Sequence, residues 1–511
     1  MTIVAENATS VIHLVRRAGP RRLIYHRSVA TASTFTRLFV GGEWVDAASG
    51  EAAEAASPAT GESLGPVAQG DREDARRAIA AARDAFPKWA AATAFERSAA
   101  LRRIADACEA RRDELARICT LDQGKPIAES YDEVDELVAM WRGAAEDGLR
   151  IEGSIPPSSG PGKRVLLLRR PKGPVAVVTP WNWPYTMPAE IVAPALTSGN
   201  TVVWNPAPTT AVCSGVLADC IADADLPPGV FNFVPGPGPV VGDEIVSNPG
   251  TVAVGFIGST ATGRKIAERA AGKALLLEMG GNGPLVVLAD ADLDAAAEAA
   301  LSACFLCAGQ SCTAGERLLV QDSVKTEFVK RLAVVAARAA LGDPLSEDTT
   351  MGPLNNEPVA SKMDEHVQDA VRRGADVIAG GSRADGFPTD LYWPATVLDN
   401  VPAEALAVTE ETFGPIAPVV SVSGLEEAIA MTNESPYGLL AAIFTADLYN
   451  GLRFADEVRS GLVNINETTN YWENHLPFGG RAGTDSGSGR VGGRHPFEVL
   501  TELQTVVIGP R

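Results

Sequence analysis

Histidine is scarce in this chain: five scattered residues among 511. A Cys–His hydrolase is therefore poorly supported. Cysteine is nearly as rare. Cys108, Cys119, Cys213, Cys220, Cys304, Cys307 and Cys312 are too few for a disulfide scaffold, and their number is odd. Reduced thiols in a cytoplasmic setting are the expectation. Cys304-Phe-Leu-Cys307 has a metal-like spacing, but no second Cys or His pair stands nearby to complete a tetrahedral site. Its apolar neighbours suit one face of a buried helix, and no metal is expected. No apolar run approaches the eighteen or so residues of a membrane span, so no membrane partner is expected. Positive charge is also short: 44 Lys and Arg face 64 Asp and Glu, for a net charge of −20. Without a local basic stripe, such a surface repels phosphates, and nucleic acid is excluded as a partner.

What the sequence does have is length and alternation. A chain of 511 residues exceeds one simple core, so two or more domains are expected. Residues 1–34 stand apart, with Arg16, Arg17, Arg21, Arg22 and Arg27 against the single acid Glu6. Their composition is that of a transit peptide, though a mobile tail or an over-extended start is the favoured reading. Helical periodicity marks 72–91, 95–119 and 125–149, and a Gly-, Pro- and Ser-rich connector covers 153–163. Strand-like runs at 175–179, 201–204, 230–233 and 252–257 then alternate with helices. This is the pattern of βαβ units around a parallel sheet. A second such series begins after Gly281, and a β-branched run at 501–508 ends the chain. The expected class is α/β, with two tandem α/β domains and a small β assembly module.

Three segments carry chemistry. Gly309-Gln310-Ser311-Cys312 presents a thiol, Glu278-Met279-Gly280-Gly281-Asn282 a carboxylate, and Thr179-Pro180-Trp181-Asn182-Trp183-Pro184 a side-chain amide. A thiol can attack a carbonyl carbon, a carboxylate can activate water to release the product, and an amide can donate to an oxyanion. Glu278 ends the apolar run Ala274-Leu-Leu-Leu277, where desolvation raises its basicity. In this order the segments resemble the aldehyde dehydrogenase superfamily, from about residue 35 to the C-terminus.

The resemblance implies the NAD(P)+-dependent, non-phosphorylating, hydrolytic type. An aldehyde, with a semialdehyde as one candidate, becomes a carboxylic acid through a thioester on Cys312. Asn182 and the Cys312 N–H hold the oxyanion, and Glu278 is the base. Members that pass the acyl group to coenzyme A commonly lack that acid, so acylation of coenzyme A is the alternative. A non-catalytic dinucleotide-binding protein is a remoter one.

Phe256-Ile-Gly258-Ser259-Thr260 follows a strand and opens a helix, which suits a pyrophosphate. The resemblance assigns Gly258 and Ser259 to the NAD(P) site. It adds Pro180, Trp181 and Gly236, and places Glu411 and Phe413 at the nicotinamide ribose. Where the family carries a Lys and then a Glu for the adenosine ribose, this chain has Asn205 and Pro208. Neither the phosphate-attracting cation nor the phosphate-repelling anion is present. Weak discrimination is expected, with a lean to NAD+; Arg264 and Lys265 are cations one turn into the next helix.

Two further departures are Ile191 for a Lys and Val491 for an acid, which leaves proton transfer to Glu278 and water. Tunnel candidates are Trp183, Met187, Glu190, Tyr471, Trp472, Glu473, His475 and Phe478. Arg142 is a conceivable carboxylate partner, but a solvated helix face suits it better, and Asp132, Glu133, Asp135 and Glu136 argue against an anionic funnel. By resemblance, 35–149 with 172–280 forms the dinucleotide-binding domain and 281–493 the catalytic domain. Residues 150–171 and 494–511 form the oligomerisation module, where the terminal strand pairs with a second subunit's hairpin. A homodimer or homotetramer follows.

Overall fold

Residues 36–510 are described by the computed structural model; the basic segment 1–34 lies outside them. Alternating strands and helices build two large sheets. In the first, the strands Ala274–Glu278, Ala253–Ile257, Pro174–Val178, Thr201–Asn205 and Phe231–Phe233 lie side by side and parallel. All but a few of their side chains are buried, as expected for a sheet covered on both faces. Chain order reverses between Pro174–Val178 and its neighbour Ala253–Ile257, which opens a crevice beyond their carboxyl ends.

The second sheet has seven strands, from Asp376–Ala379 through Gly315–Gln321 and Gly283–Val287 to Leu462–Ile465. One segment of the second half crosses back. Gly487–Ser488 pairs antiparallel with Ala274–Glu278, setting Gly487 opposite Glu278.

The periodic stretch 72–91 is the helix Arg72–Ala91, opened by a capping box in which Asp71 accepts from the Asp74 N–H and Asp74 returns the bond. The stretch 95–119 is not one helix. It breaks at Arg111 into Ala94–Ala110 and Arg112–Gln123, because Arg111 leaves helical geometry (φ −106°, ψ 20°). A one-residue break of this kind barely disturbs apolar periodicity. The next helix, Ile127–Asp147, buries Val134, Leu137, Val138, Trp141 and Ala145 on one stripe. No helix among the described residues is long and apolar enough to cross a membrane.

Glu133 lies on that stripe too, fully buried. Lys125 Nζ donates to its Oε2 at 2.7 Å, and the Tyr185 and Thr186 N–H groups donate to its Oε1 at 2.8 and 3.3 Å. Lys125 also stands 3.5 Å from the centroid of the Trp183 ring. A buried ion pair therefore pins the segment that carries Asn182.

The terminal strand corrects one expectation. Thr501–Ile508 pairs over its whole length with Arg164–Pro171 of the same chain, Thr501 against Pro171 through Ile508 against Arg164. One of its edges is thus paired with the hairpin of its own chain, where another subunit's hairpin was expected. The hairpin is close in space because Asn200, which accepts from the Lys172 and Gly173 N–H groups, also donates to Leu500 O.

Removing one member of the Lys125–Glu133 pair leaves an uncompensated charge in the interior. Glu133→Gln should lower unfolding stability by about 3–5 kcal/mol in urea titration, and Lys125→Met with Glu133→Leu by clearly less.

Candidate active site

The carboxyl ends of the first sheet's strands face the amino ends of the second sheet's strands, and the chemical residues collect between them. Pro180, Trp181 and Asn182 follow Pro174–Val178; Gly258 and Ser259 follow Ala253–Ile257; Glu278 closes Ala274–Glu278. From the other side, Cys312 precedes Gly315–Gln321, and Glu411 with Phe413 precedes Ile416–Val422.

Cys312 rides on a tightly bent loop. Cys307, Ala308 and Gly309 all have positive φ, at 52°, 54° and 71°. Only glycine fits the third position, where a Cβ would lie 2.2 Å from Gly414 O. Gln310 braces the loop by donating to Cys307 O and accepting from the Asn355 N–H, both at 2.9 Å. Its own carbonyl accepts from Asn182 Nδ2 at 3.0 Å. That bond fixes the Asn182 amide beside the thiol and leaves its second N–H available. Cys304 is buried on the helix Leu293–Phe305, with its thiol donating to Gly315 O at 3.1 Å.

Cys312 and Glu278 form the wall between two cavities. The first, about 280 Å³, is lined by Pro180, Trp181, Asn182, Gly258, Ser259, Glu411 and Phe413. The second, about 240 Å³, is lined by Trp183, Met187, Trp472 and Phe478, with Glu136 and Glu190. Glu278 is 3% exposed and its Oε1 has no hydrogen-bond partner. Burial, and then the charge of Glu411, push its carboxyl up to about 8, offset in part by the facing Cys312 thiol. Cys312 is itself raised well above the usual thiol range by burial and by Glu278, Glu190 and Glu411. A cation supplied from outside the chain would favour the ionised forms of both.

The first cavity fits a nicotinamide dinucleotide. Ser259 caps the helix Thr260–Arg269, so free N–H groups open toward the cavity. Trp181 and Phe413 meet edge to face with centroids 5.6 Å apart, making an aromatic wall. Phe413 is held at φ 60° because both Glu316 oxygens accept bonds, from the Thr412 and Phe413 N–H groups, each at 2.7 Å. The Gly281 N–H donates to Glu411 Oε1 at 2.9 Å.

Sequence reading missed several residues. Lys362, from the helix Glu357–Arg372, lines the first cavity and donates to the Glu411 carbonyl. Glu316 positions Phe413. Neither has a local signal, since a helix lysine and a strand glutamate are common and their partners lie 49 and 97 residues away.

Other expected residues lie elsewhere. Asn205 is behind the wall of the first cavity, its amide donating to Val234 O and Gly236 O at 2.9 and 3.2 Å. Gly236 packs against Gly70, where a Cβ would sit 2.6 Å from the Gly70 carbonyl. Tyr471, expected in the tunnel, is turned to solvent with its hydroxyl on Glu473 Oε1, because Asn470 is drawn inward by Ser302 O. Asn470 takes the lining position. Arg142 is on the exposed helix face, 2.6 Å from Glu109. Arg264 pairs with Asp485 at 2.6 Å.

Comparison with known proteins agrees with this geometry. The Aldehyde dehydrogenase family pattern matches residues 44–506. The chain is 39% identical over 476 residues to succinate-semialdehyde dehydrogenase [NADP(+)] of Escherichia coli, covering 93% of this chain and 98% of that one. It is 39% identical over 477 residues to glutarate-semialdehyde dehydrogenase of Pseudomonas aeruginosa, covering 93% and 97%. A crystal structure of an E. coli NADP-dependent enzyme superposes with a TM-score of 0.90 at 38% identity, over 93% of this chain and 98% of that one. A thiol and a desolvated carboxylate shared between two cavities, on this fold and with these relatives, make the chain a member of the aldehyde dehydrogenase family.

Proposed function

We propose that the protein oxidises an aldehyde to the carboxylic acid with NAD(P)+, through a thioester on Cys312. In sum, aldehyde, water and NAD(P)+ give acid, NAD(P)H and a proton. The carrying observation is the common wall: Cys312 and Glu278 line both cavities. In this reading 35–149 with 172–280 is the dinucleotide-binding domain and 281–493 the catalytic domain.

Cys312 loses its thiol proton to water and its sulfur adds to the carbonyl carbon, and the resulting oxyanion is taken by the spare Asn182 N–H and the Cys312 N–H. Held by Gly258, Ser259, Trp181, Pro180, Glu411 and Phe413, the dinucleotide supplies the hydride acceptor. Glu278 then removes a proton from water, the hydroxyl attacks the thioester carbon, and the C–S bond breaks to free Cys312. Ile191 and Val491 offer no proton to this sequence, which leaves Glu278 as the base. Its presence supports hydrolysis over transfer to coenzyme A. Both relatives named above act, by their names, on semialdehydes, which makes a semialdehyde one candidate substrate. All seven cysteines are free thiols, which supports a cytoplasmic setting.

Cys312→Ala should abolish oxidation and spare dinucleotide binding. Glu278→Gln should keep the burst of reduced dinucleotide and lose about 10²–10⁴-fold in steady-state turnover, because only deacylation needs the base. Equal loss of both would place Glu278 earlier. The base acts as carboxylate, so native turnover should fall as pH drops through about 8, read from a pH–rate profile.

For the dinucleotide we propose a modest lean to NAD+. The Asn205 amide is committed to Val234 and Gly236, and Arg264 to Asp485, so neither supplies a 2′-phosphate site. The two dissociation constants should differ by less than about a hundredfold, roughly 2.7 kcal/mol. A larger ratio in either direction would refute it.

We propose assembly as a homodimer or homotetramer through the ribbon Arg164–Pro171 with Thr501–Ile508. A two-stranded ribbon is marginal alone, and this one exposes Leu503, Val507 and Ile508. Deleting 501–511 should give a smaller or poorly soluble species by sedimentation, and a full-length monomer at micromolar concentration would refute the proposal.

A further inference from the structure

The substrate side of the site is lined by carboxyl groups, and no lysine or arginine lines it among the described residues. The cavity beyond Cys312 runs past Met187, Trp183 and Phe478 to Glu136 and Glu190. Through Met140, Glu190 and Trp472 it meets an outer cavity of about 200 Å³, where Asp147 and His475 stand. Among the described residues, neither lining contains a lysine or an arginine.

The nearby cations are committed elsewhere. Lys125 approaches the Trp183 ring, but its charge is taken up by Glu133 at 2.7 Å. Arg142 is paired with Glu109 on the outer helix face, and Arg150 lies 3.4 Å from Asp147. His475 is exposed and 3.5 Å from Glu473. Glu136 and Glu190, by contrast, have no hydrogen-bond or ion-pair partner among the described residues. The buried Glu278 carboxylate, with Oε1 unpartnered, opens on the same cavity.

An aldehyde with a distal carboxylate would bring a further anion against these groups with nothing to pair it, a costly arrangement in a desolvated cavity. A positive charge there meets Glu190 and Glu136 and the aromatic surfaces of Trp183 and Trp472, the latter 5.3 Å from Phe478 between ring centroids. We propose that the cavity selects aldehydes bearing a positive charge, amino- or trimethylammonium-substituted, over neutral and anionic ones. The inference rests on the aldehyde oxidation at Cys312 set out above. Burial and neighbouring carboxylates, offset in part by Lys125 at Glu136, push Glu136 up to about 7 and Glu190 well above the usual range, so a bound cation favours the charged form of both.

The test compares kcat/KM of the full-length protein for (trimethylammonio)acetaldehyde, its neutral isostere 3,3-dimethylbutanal, and succinate semialdehyde. The cation should exceed the isostere by about tenfold or more, with the anion below both. Glu190→Gln combined with Glu136→Gln should shrink the cation-to-neutral ratio by about tenfold, mainly through KM. Turnover of the neutral isostere reports that this variant is folded. Equal or better use of the neutral or anionic aldehyde, or an unchanged ratio in the variant, overturns the inference and leaves aldehyde oxidation standing. No oxidation of any of the three overturns both.

Discussion

One thiol among carboxylates is the constraint around which the site is built. Cys312 faces Glu278, Glu190 and Glu411 in a buried space; burial raises it and all three acids, and neighbouring carboxylates raise Cys312, Glu278 and Glu190 further. In water the thiolate and carboxylates would ionise independently. Here each charge raises the cost of the next, so the resting site is short of positive charge. Among the described residues Lys362 is the one lysine or arginine on either cavity wall, and its ammonium donates to the Glu411 backbone carbonyl. In our proposals, ligands with positive charge therefore relieve the constraint from both sides: a nicotinamide ring in the first cavity and a cationic substrate in the second.

Holding such a site open requires a rigid frame, and the chain supplies it with buried polar pins. Glu133 fixes the Asn182 segment through Tyr185 and Thr186, with Lys125 neutralising it. Glu316 fixes Phe413 in a left-handed conformation through two backbone N–H groups. Asn282 donates to Val408 O and Glu410 O, and Arg317 donates to Asn282 O, tying the Glu278 segment to the Glu411 segment. Each pin joins the first sheet's carboxyl ends or the second sheet's amino ends to a neighbouring loop. The geometry of the thiol thus rests on residues such as Glu133, Glu316 and Arg317 that line neither cavity.

How far the sequence could be read varied with the range of the interaction concerned. The Cys312, Glu278 and Asn182 segments were legible because each is a local pattern, and family membership followed from their order. The parallel alternation from residue 174 onward was legible because buried strands are short apolar runs. The break at Arg111 was not, since apolar spacing continues across it. The partner of the terminal strand was read as another subunit, and the fold supplies Arg164–Pro171 of the same chain instead. An edge strand advertises its need for a partner without specifying which one.

The sequence by itself determined the α/β class, the family and the thiol, carboxylate and amide segments that meet between the sheets, because these depend on residue types at fixed local spacings. Tertiary structure alone decided that Tyr471 turns outward while Asn470 turns in, and that Asn205 spends its amide on two backbone carbonyls. It alone brought Glu136 and Glu190 to one cavity that no described lysine or arginine lines. Such facts depend on which distant groups compete for the same hydrogen bonds and the same charge, and that competition is settled only when the chain has closed around them.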